Sequence, residues 1–190
     1  MTWLEPVTLE GDHVRLEPAG PEHLDAMWAV AQHPEIWRYI PLSVTSREEL
    51  AFMGEYLRSV GLAFATVQRS TGAVIGGTAF LAPDEANRRV EIGATWITPA
   101  AQRSAANTEA KLLQLTHAFE VLGCARVEFK TDSRNARSQA ALARIGAVEE
   151  GALRKHMLLS DGVWRDSVYF SILDSEWPDV QRRLVERLSR

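Results

Sequence analysis

The sequence predicts an α+β fold: a mixed, mostly antiparallel sheet with one parallel crossover. Three observations predict it. Residues 90–98 (VEIGATWIT) read as a strand and residues 99–106 (PAAQRSAA) as a loop. A helix then opens at Asn107, and residues 125–131 (ARVEFKT) return as a second strand. Strand–loop–helix–strand within about 40 residues is the unit that joins parallel neighbours in a sheet. On either side of it, strand-like stretches are joined by short polar turns, Ser70-Thr71-Gly72 and Ser160-Asp161-Gly162, which favour antiparallel hairpins. Apolar residues at helical spacing fill both ends of the chain.

The elements follow in order. Residues 13–18 alternate as a short strand, and Gly20-Pro21 starts a helix with proline in its first turn, its apolar side being Leu24, Met27, Trp28 and Ala31. After His33-Pro34 comes a bent connection carrying Ile36, Trp37, Tyr39 and Ile40. Ser46 with Glu49 three residues later is a capping-box pattern, and the helix it opens runs to Val60-Gly61. Residues 63–68 and 74–82 form the first hairpin, with Gly76 and Gly77 marking a bulge. Beyond the crossover, Asn135 caps a helix (NARSQAALARI) that breaks at Gly146. Residues 147–159 and 163–173 make the second hairpin, and a last helix begins near Ser175 with Leu184 and Leu188 inside.

Composition narrows the function. A chain of 190 residues with 46% hydrophobic and 24% charged residues fits one globular domain spanning residues 1–190. A net charge of −4 argues against a nucleic-acid partner, which needs a basic face. The single cysteine, Cys124, rules out an internal disulfide and fits a reducing compartment. No stretch reads as a signal peptide or a membrane span, so a cytoplasmic protein with no membrane partner is expected. Five histidines and one cysteine show no metal-ligand spacing, so no metal is expected. What remains is the loop that delivers a helix N-terminus to the end of a strand. Unpaired backbone N–H groups there form a site for a phosphate-bearing ligand.

The wording of this segment resembles the GNAT superfamily of acyl-CoA N-acyltransferases, and within it the RimJ/RimL-like branch of ribosomal-protein alanine N-acetyltransferases. The resemblance rests on Glu91-Ile92-Gly93, on Pro99 and Gln102 ahead of a helix, on HAFEVLG at residues 117–123, on RVEFKTD at 126–132 and on NARSQAALARIGAVEEG at 135–151. The opening GDHVRLEPAGPEHLDAMWAV matches the family's first strand and helix, so the likeness covers most of the chain. It implies a GNAT-like twisted sheet with helices on both faces, acetyl-CoA as co-substrate, and a small-molecule or peptide amine as acceptor. A homodimer is a further candidate partner, and the sequence leaves the oligomeric state open. The family's pyrophosphate loop reads Q/R-x-x-G-x-G/A. Here it is Gln102-Arg103-Ser104-Ala105-Ala106-Asn107, with neither glycine.

The resemblance implies that Gln102, Arg103, Ala105, Ala106, Asn107 and Thr108 hold the pyrophosphate, and that Trp96 and Ile97 pair with the pantetheine amides. Ala105 and Ala106 keep bulk low but disfavour positive φ by roughly 1–2 kcal/mol, whereas Asn107 tolerates that region and caps the helix. Lys111, one turn further, is expected within reach of a phosphate. Asn135 is a natural N-cap; the resemblance adds a contact to the pantetheine arm, and sets Ser138 facing the departing thiolate. Relatives outside this branch place a tyrosine four residues further on, where this chain has Leu142. Arg144 and Arg137 are candidates for the 3′-phosphate, beside the commoner reading of such residues as solvated helix-face charges.

Aminolysis of a thioester needs a neutral amine, and Glu91, on the strand feeding the loop, is the expected proton acceptor. Such assistance is worth about 10²–10⁴-fold. An α-amine with pKa about 8 is partly neutral at pH 7, but a lysine near 10.4 is neutral in fewer than ~1 in 1,000 molecules, so one Glu suits an α-amine better. The plain alternative for Glu91 is a strand carboxylate balanced by Arg88 or Arg89. Trp37 and Tyr39, in the irregular segment where binding loops lie, are the candidates for the acceptor pocket wall. His156 and Cys124 read as structural. The expected activity is therefore acetyl transfer to a primary amine, either a protein N-terminus or a small amine. The competing reading is a non-catalytic module of this fold that binds CoA or another anionic ligand.

Overall fold

A computed structural model describes residues 3–42, 44–159 and 161–189. Its strands are β1 (Leu9–Glu10), β2 (Val14–Pro18), β3 (Gly61–Gln68), β4 (Val74–Asp84), β5 (Arg89–Ile97), β6 (Arg126–Asp132), β7 (Val148–Leu158) and β8 (Trp164–Leu173). They form one sheet in the order β1-β2-β3-β4-β5-β6-β8-β7. Every pairing is antiparallel except β5 with β6. The helices are α1 (Leu24–Ala31), α2 (Pro34–Trp37), α3 (Arg47–Val60), α4 (Ala105–Thr116), α5 (Ala136–Ile145) and α6 (Trp177–Leu188). This is the mixed α+β sheet that the crossover and hairpins predict, with helices on both faces.

Local chemistry explains most boundaries. Ser46 accepts from Glu49 N while the Glu49 carboxylate bonds back to Ser46 N, so α3 starts where the capping box places it. Pro21 begins a short 3₁₀ turn rather than α1 itself, which starts at Leu24. Asn135 caps α5 through Ser138 N, and Gly146 ends it at φ +98°, the left-handed conformation that favours glycine. The bulge expected at Gly76 and Gly77 lies one residue earlier: both glycines stay paired, with Thr66 and Ala65, and the β3–β4 register slips between Thr66 and Val67, leaving Ile75 as the extra residue. In the second hairpin turn, Ser160 lies outside the described residues.

Two layers cover the sheet. On one face α4, α5 and α6 bury Ala110, Leu115, Leu142, Val180 and Leu184 against Leu16, Phe64, Phe80, Val127 and Ile172. On the other, Ala31, Trp37, Leu50 and Met53 of the α1–α3 region pack with Trp96 beside a floor of Ala63, Ala65 and Ala79. α1 and α3 sit over β3 and β4. Leu188, expected inside, is only partly buried; Trp177, Val180 and Leu184 form the inner side of α6.

The crossover helix is tied to the start of the chain by one carboxylate. Glu109 of α4 is buried and accepts backbone N–H groups from Asp12 (2.8 Å), His13 (2.7 Å) and Val14 (2.6 Å). The turn must come that close: a Cβ on Gly11 would stand 2.4 Å from the Glu109 carboxyl carbon. Hydrogen bonds to a charged group are worth about 1.5–3 kcal/mol each, and orphaned buried donors cost more. Glu109→Ala should therefore lower unfolding stability by roughly 3–5 kcal/mol in urea titrations. A loss under about 1 kcal/mol would show that water replaces the carboxylate at these amides.

Candidate active site

The parallel ladder between β5 and β6 is short. It pairs Arg89 with Arg126, Val90 with Val127 and Glu91 with Glu128, and then stops. β5 runs on to Ile97 and β6 to Asp132, so the two strands open a wedge whose inner edges carry backbone donors and acceptors outside the ladder. Along its other edge β5 carries a bulge. Gly77 pairs with Trp96 and Ala79 with Gly93, so Ala94 and Thr95 face the single residue Thr78. Ala94 takes φ +47°, a left-handed conformation that costs a non-glycine residue about 1–2 kcal/mol.

The loop after β5 corrects the expected helix start. α4 opens at Ala105, not at Asn107, and its cap is Ser104, whose hydroxyl accepts from Ala106 N at 3.2 Å. The left-handed residue of the loop is Arg103, φ +62°. Ala105 and Ala106 are helical, so the missing glycines impose no positive-φ penalty there, and Ala106 packs in the core. Asn107 and Thr108 lie in the first turn, both half-buried. The Gln102 amide donates to Ile97 O (3.1 Å) and accepts from Arg137 (2.8 Å), linking the end of β5 to the start of α5. Two helix N-termini, of α4 and α5, thus follow the two strands that form the wedge. Arg144 is exposed in the last turn of α5, roughly 13 Å along the helix from its cap, so Arg137 and not Arg144 is the basic side chain near the loop.

Lys111 is also corrected. It points away from the loop, is only 5% exposed, and donates to Thr95 Oγ1 (2.8 Å), Gln114 Oε1 (3.0 Å) and Thr78 Oγ1 (3.2 Å). Burial without a nearby carboxylate pushes its pKa down to about 7.

Glu91 sits at the vertex of the wedge, 6% exposed. Its partner is neither Arg88 nor Arg89. Arg88 bonds to Gly123 O, and Arg89 pairs with Asp84 and Glu128, whereas Glu91 Oε2 lies 2.8 Å from Lys130 Nζ. Lys130 is in register with Tyr169 on β8, and Tyr169 packs edge-on against His156 of β7, with ring centroids 5.8 Å apart. His156 Nδ1 is 3.0 Å from Ser167 Oγ and Nε2 is 3.5 Å from the Tyr169 hydroxyl. Burial, aided by Lys130 and Arg165 and opposed by Glu91, lowers the His156 pKa below its ordinary value. That keeps the imidazole neutral at pH 7 and able to take a proton. Arg165 is buried and donates to Tyr39 O at 3.3 Å.

Sequence reasoning missed Lys130, Ser167, Tyr169 and Arg165, and read His156 as structural. A signal was present: in RVEFKTD every second residue is charged, which marks one face of a central strand as polar. Trp37 is not a free pocket wall. It is 7% exposed, bonded to Ala31 O and packed on Trp96 at 5.3 Å. Tyr39 is half-buried, with Arg38 over its ring. Trp96 itself lines an apolar cavity of about 130 Å³ beside the bulge, with Leu24, Met27, Leu50 and Ala94. Ser138 and Asn135 stand at the start of α5, the Asn135 oxygen committed to its capping bond. Leu142 is buried in the core. Cys124 is a buried thiol that burial pushes up to about 11, and so is unreactive. Among the described residues no cluster of His, Cys, Asp or Glu could hold a metal ion, and no helix is long and apolar enough to cross a membrane.

The acetyltransferase (GNAT) domain family matches residues 13–148, and the chain belongs to that family. A crystal structure from T. thermophilus, described as a candidate acetyltransferase, is 41% identical, with 98% of this chain and 100% of that one covered and a TM-score of 0.90. YdaF of Bacillus subtilis, described as a candidate ribosomal N-acetyltransferase, is 37% identical over 94 residues, half of each chain. RimJ of Mycobacterium smegmatis, solved in complex with CoA-disulfide, shares the fold at 23% identity with a TM-score of 0.82, covering 96% of this chain and 95% of that one.

The lowered Lys111 pKa has a consequence for stability. The folded value, about 7, lies below the ordinary 10.5, so between these pH values the unfolded chain holds the extra proton. Stability should rise with pH through that window, with a slope approaching ~1.4 kcal/mol per unit, relative to Lys111→Met, in which the term is absent. Urea unfolding of both proteins from pH 6 to 10 reads the difference. Parallel curves would mean that Lys111 keeps an ordinary affinity for its proton.

Proposed function

We propose that the protein is an acetyl-CoA-dependent N-acetyltransferase that passes the acetyl group directly to a primary amine, with a protein N-terminus or a small α-amine preferred over lysine. One observation carries this reading: a wedge between β5 and β6 with a buried carboxylate at its vertex and two helix N-termini at its mouth. A family fold, a relative described as a candidate ribosomal N-acetyltransferase, and a neighbour solved with a CoA derivative support it.

The residues suit the co-substrate. The free amides in the first turn of α4, beside the left-handed Arg103, offer donors and a partial positive charge to a pyrophosphate. Arg103 and Arg137 add cationic side chains near that turn, and the small Ala105 leaves it open. Beyond the ladder with β6, the edge of β5 leading to Trp96 and Ile97 can pair with the amides of a pantetheine arm, as a third strand would, beside the Ile97 carbonyl that the Gln102 amide already engages, with Asn135 on the α5 side. Acetyl-CoA supplies the thioester carbonyl. This chain's residues must orient that carbonyl, remove one proton from the attacking amine and return one to the sulfur. Glu91 is the proton acceptor, directly or through water, with the Lys130 ammonium balancing its charge. A thiol of pKa about 8.5 leaves with modest help, which Ser138 or a water can give.

Free-thiol release from acetyl-CoA, measured against peptides with free N-termini and against N-blocked lysine peptides, tests the activity. Turnover of the first group at neutral pH is expected; release with no amine in the panel would sink the acyltransfer reading and leave a CoA-binding module. Glu91→Gln should lower kcat by roughly 10²-fold with little change in acetyl-CoA affinity, and the deficit should shrink as pH approaches the amine's own pKa near 8. Unchanged turnover across that range would return Glu91 to a purely structural ion pair with Lys130.

A further inference from the structure

Lys111 reaches from α4 to the underside of the β5 bulge. Thr78 is the one residue of β4 facing that bulge, and Thr95 is one of the two residues that form it. The Lys111 side chain bonds to both, so it spans the two strands where their register slips. The hydroxyls of Thr78 and Thr95 are 2.8 Å apart, and Thr78 also donates to Gln114 Oε1 at 3.1 Å. Gln114 is fully buried and its Nε2 has no partner. The three oxygen acceptors match the three N–H donors of an ammonium. Stability alone is a poor reason for this arrangement, because an apolar side chain of similar length would fill the space without removing an amine from water. Lys111 also lies only about 9 Å along α4 from Ala105, so one helix carries both the candidate pyrophosphate amides and the bulge anchor.

We propose that Lys111 is a positioning residue: through Thr78 and Thr95 it fixes the β5 bulge, holding the strand's free edge at residues 92–97 apart from β6 and in line with the α4 N-terminus. The consequence for turnover rests on the acyltransferase reading; the effect on the strand does not. Misplacing a thioester by an ångström can cost up to about 10²-fold in rate.

Two readouts test this in Lys111→Met, which keeps the length of the stem. Hydrogen exchange of peptides covering residues 92–97 should quicken by about tenfold or more, while the melting temperature stays equal or rises. The kcat for thiol release should fall ~10- to 100-fold with KM for acetyl-CoA changed less than about threefold. Thr95→Val should reproduce both effects and Thr95→Ser should restore wild-type behaviour, which keeps the test open if Lys111→Met does not fold. Wild-type exchange rates in both Lys111→Met and Thr95→Val would overturn the proposal, as would a kcat loss matched by a fall in melting temperature. If the wild-type protein releases no thiol, acyl transfer fails as its activity, and exchange at residues 92–97 still decides whether Lys111 sets the strand.

Discussion

The parting of β5 from β6 after three ladder pairs is the constraint on which the rest of this structure turns. Opening a sheet in its interior leaves backbone donors and acceptors unpaired on two facing edges, which a fold tolerates only where water or a ligand can reach them. It also removes the ladder that would keep the strands in place, so other contacts must do that. β6 is held from its far side by seven residues in register with β8, from Arg126 with Leu173 to Asp132 with Ser167. β5 is held from its far side by β4, through a bulge that turns the strand and is braced from beneath by the Thr78–Thr95–Lys111 cluster. At the mouth, Gln102 bridges the end of one strand to the helix after the other.

The order of elements was legible in the sequence because each is marked by local chemistry. The Ser46–Glu49 capping box, the Asn135 cap with its Gly146 stop and the strand–loop–helix–strand crossover need no tertiary information. The start of α4 was misread because Ser104 and Asn107 are both good caps three residues apart, and only packing of Ala106 and Ala110 against the sheet decides between them. The partner of Glu91 was misread for a similar reason. Arg88 and Arg89 are its neighbours in sequence, but Arg88 bonds to Gly123 O and Arg89, although on the same face, is taken by Asp84 and Glu128, so the ion pair forms across the wedge with Lys130 of β6. Lys111 could not have been placed from sequence. A lysine one turn into a helix is nearly always solvated, and its burial depends on two threonines from strands 16 and 33 residues away.

A further strained segment lies on the outer hairpin. The β7–β8 register slips between Leu153 and Met157, and Lys155 takes φ +49° with its N–H bonded to Asp166. Non-glycine residues in this region persist only where surrounding contacts over-determine them. Here the slip sets His156 against Tyr169 and Ser167, on the side of the sheet that carries Lys130 and Glu91. The polar residues of β6, β7 and β8 therefore converge beside the wedge, although they come from three strands whose order in the sheet is not their order in the chain.

β5 connects two chemistries because its residues alternate between faces and its bulge interrupts the alternation once. Without the extra residue, Glu91, Gly93 and Thr95 would all project to one side. With it, Ala94 follows Gly93 on that side and Thr95 falls to the face of α4, where Lys111 meets it. Trp96 then returns to the α1–α3 face as a wall of the apolar cavity. A Cβ on Gly77 would stand 3.0 Å from Trp96 Nε1 and 3.1 Å from Met27 Cε, so the glycine lets the indole pack closely against β4. In the proposed reaction this division has a plain use. The acceptor amine, its proton acceptor and its apolar surroundings share the face of Glu91 and Trp96, whereas the anchor of the strand is buried on the opposite face. Changes in the acceptor pocket can then leave the register of the cofactor strand intact, because the two depend on different sides of the same backbone.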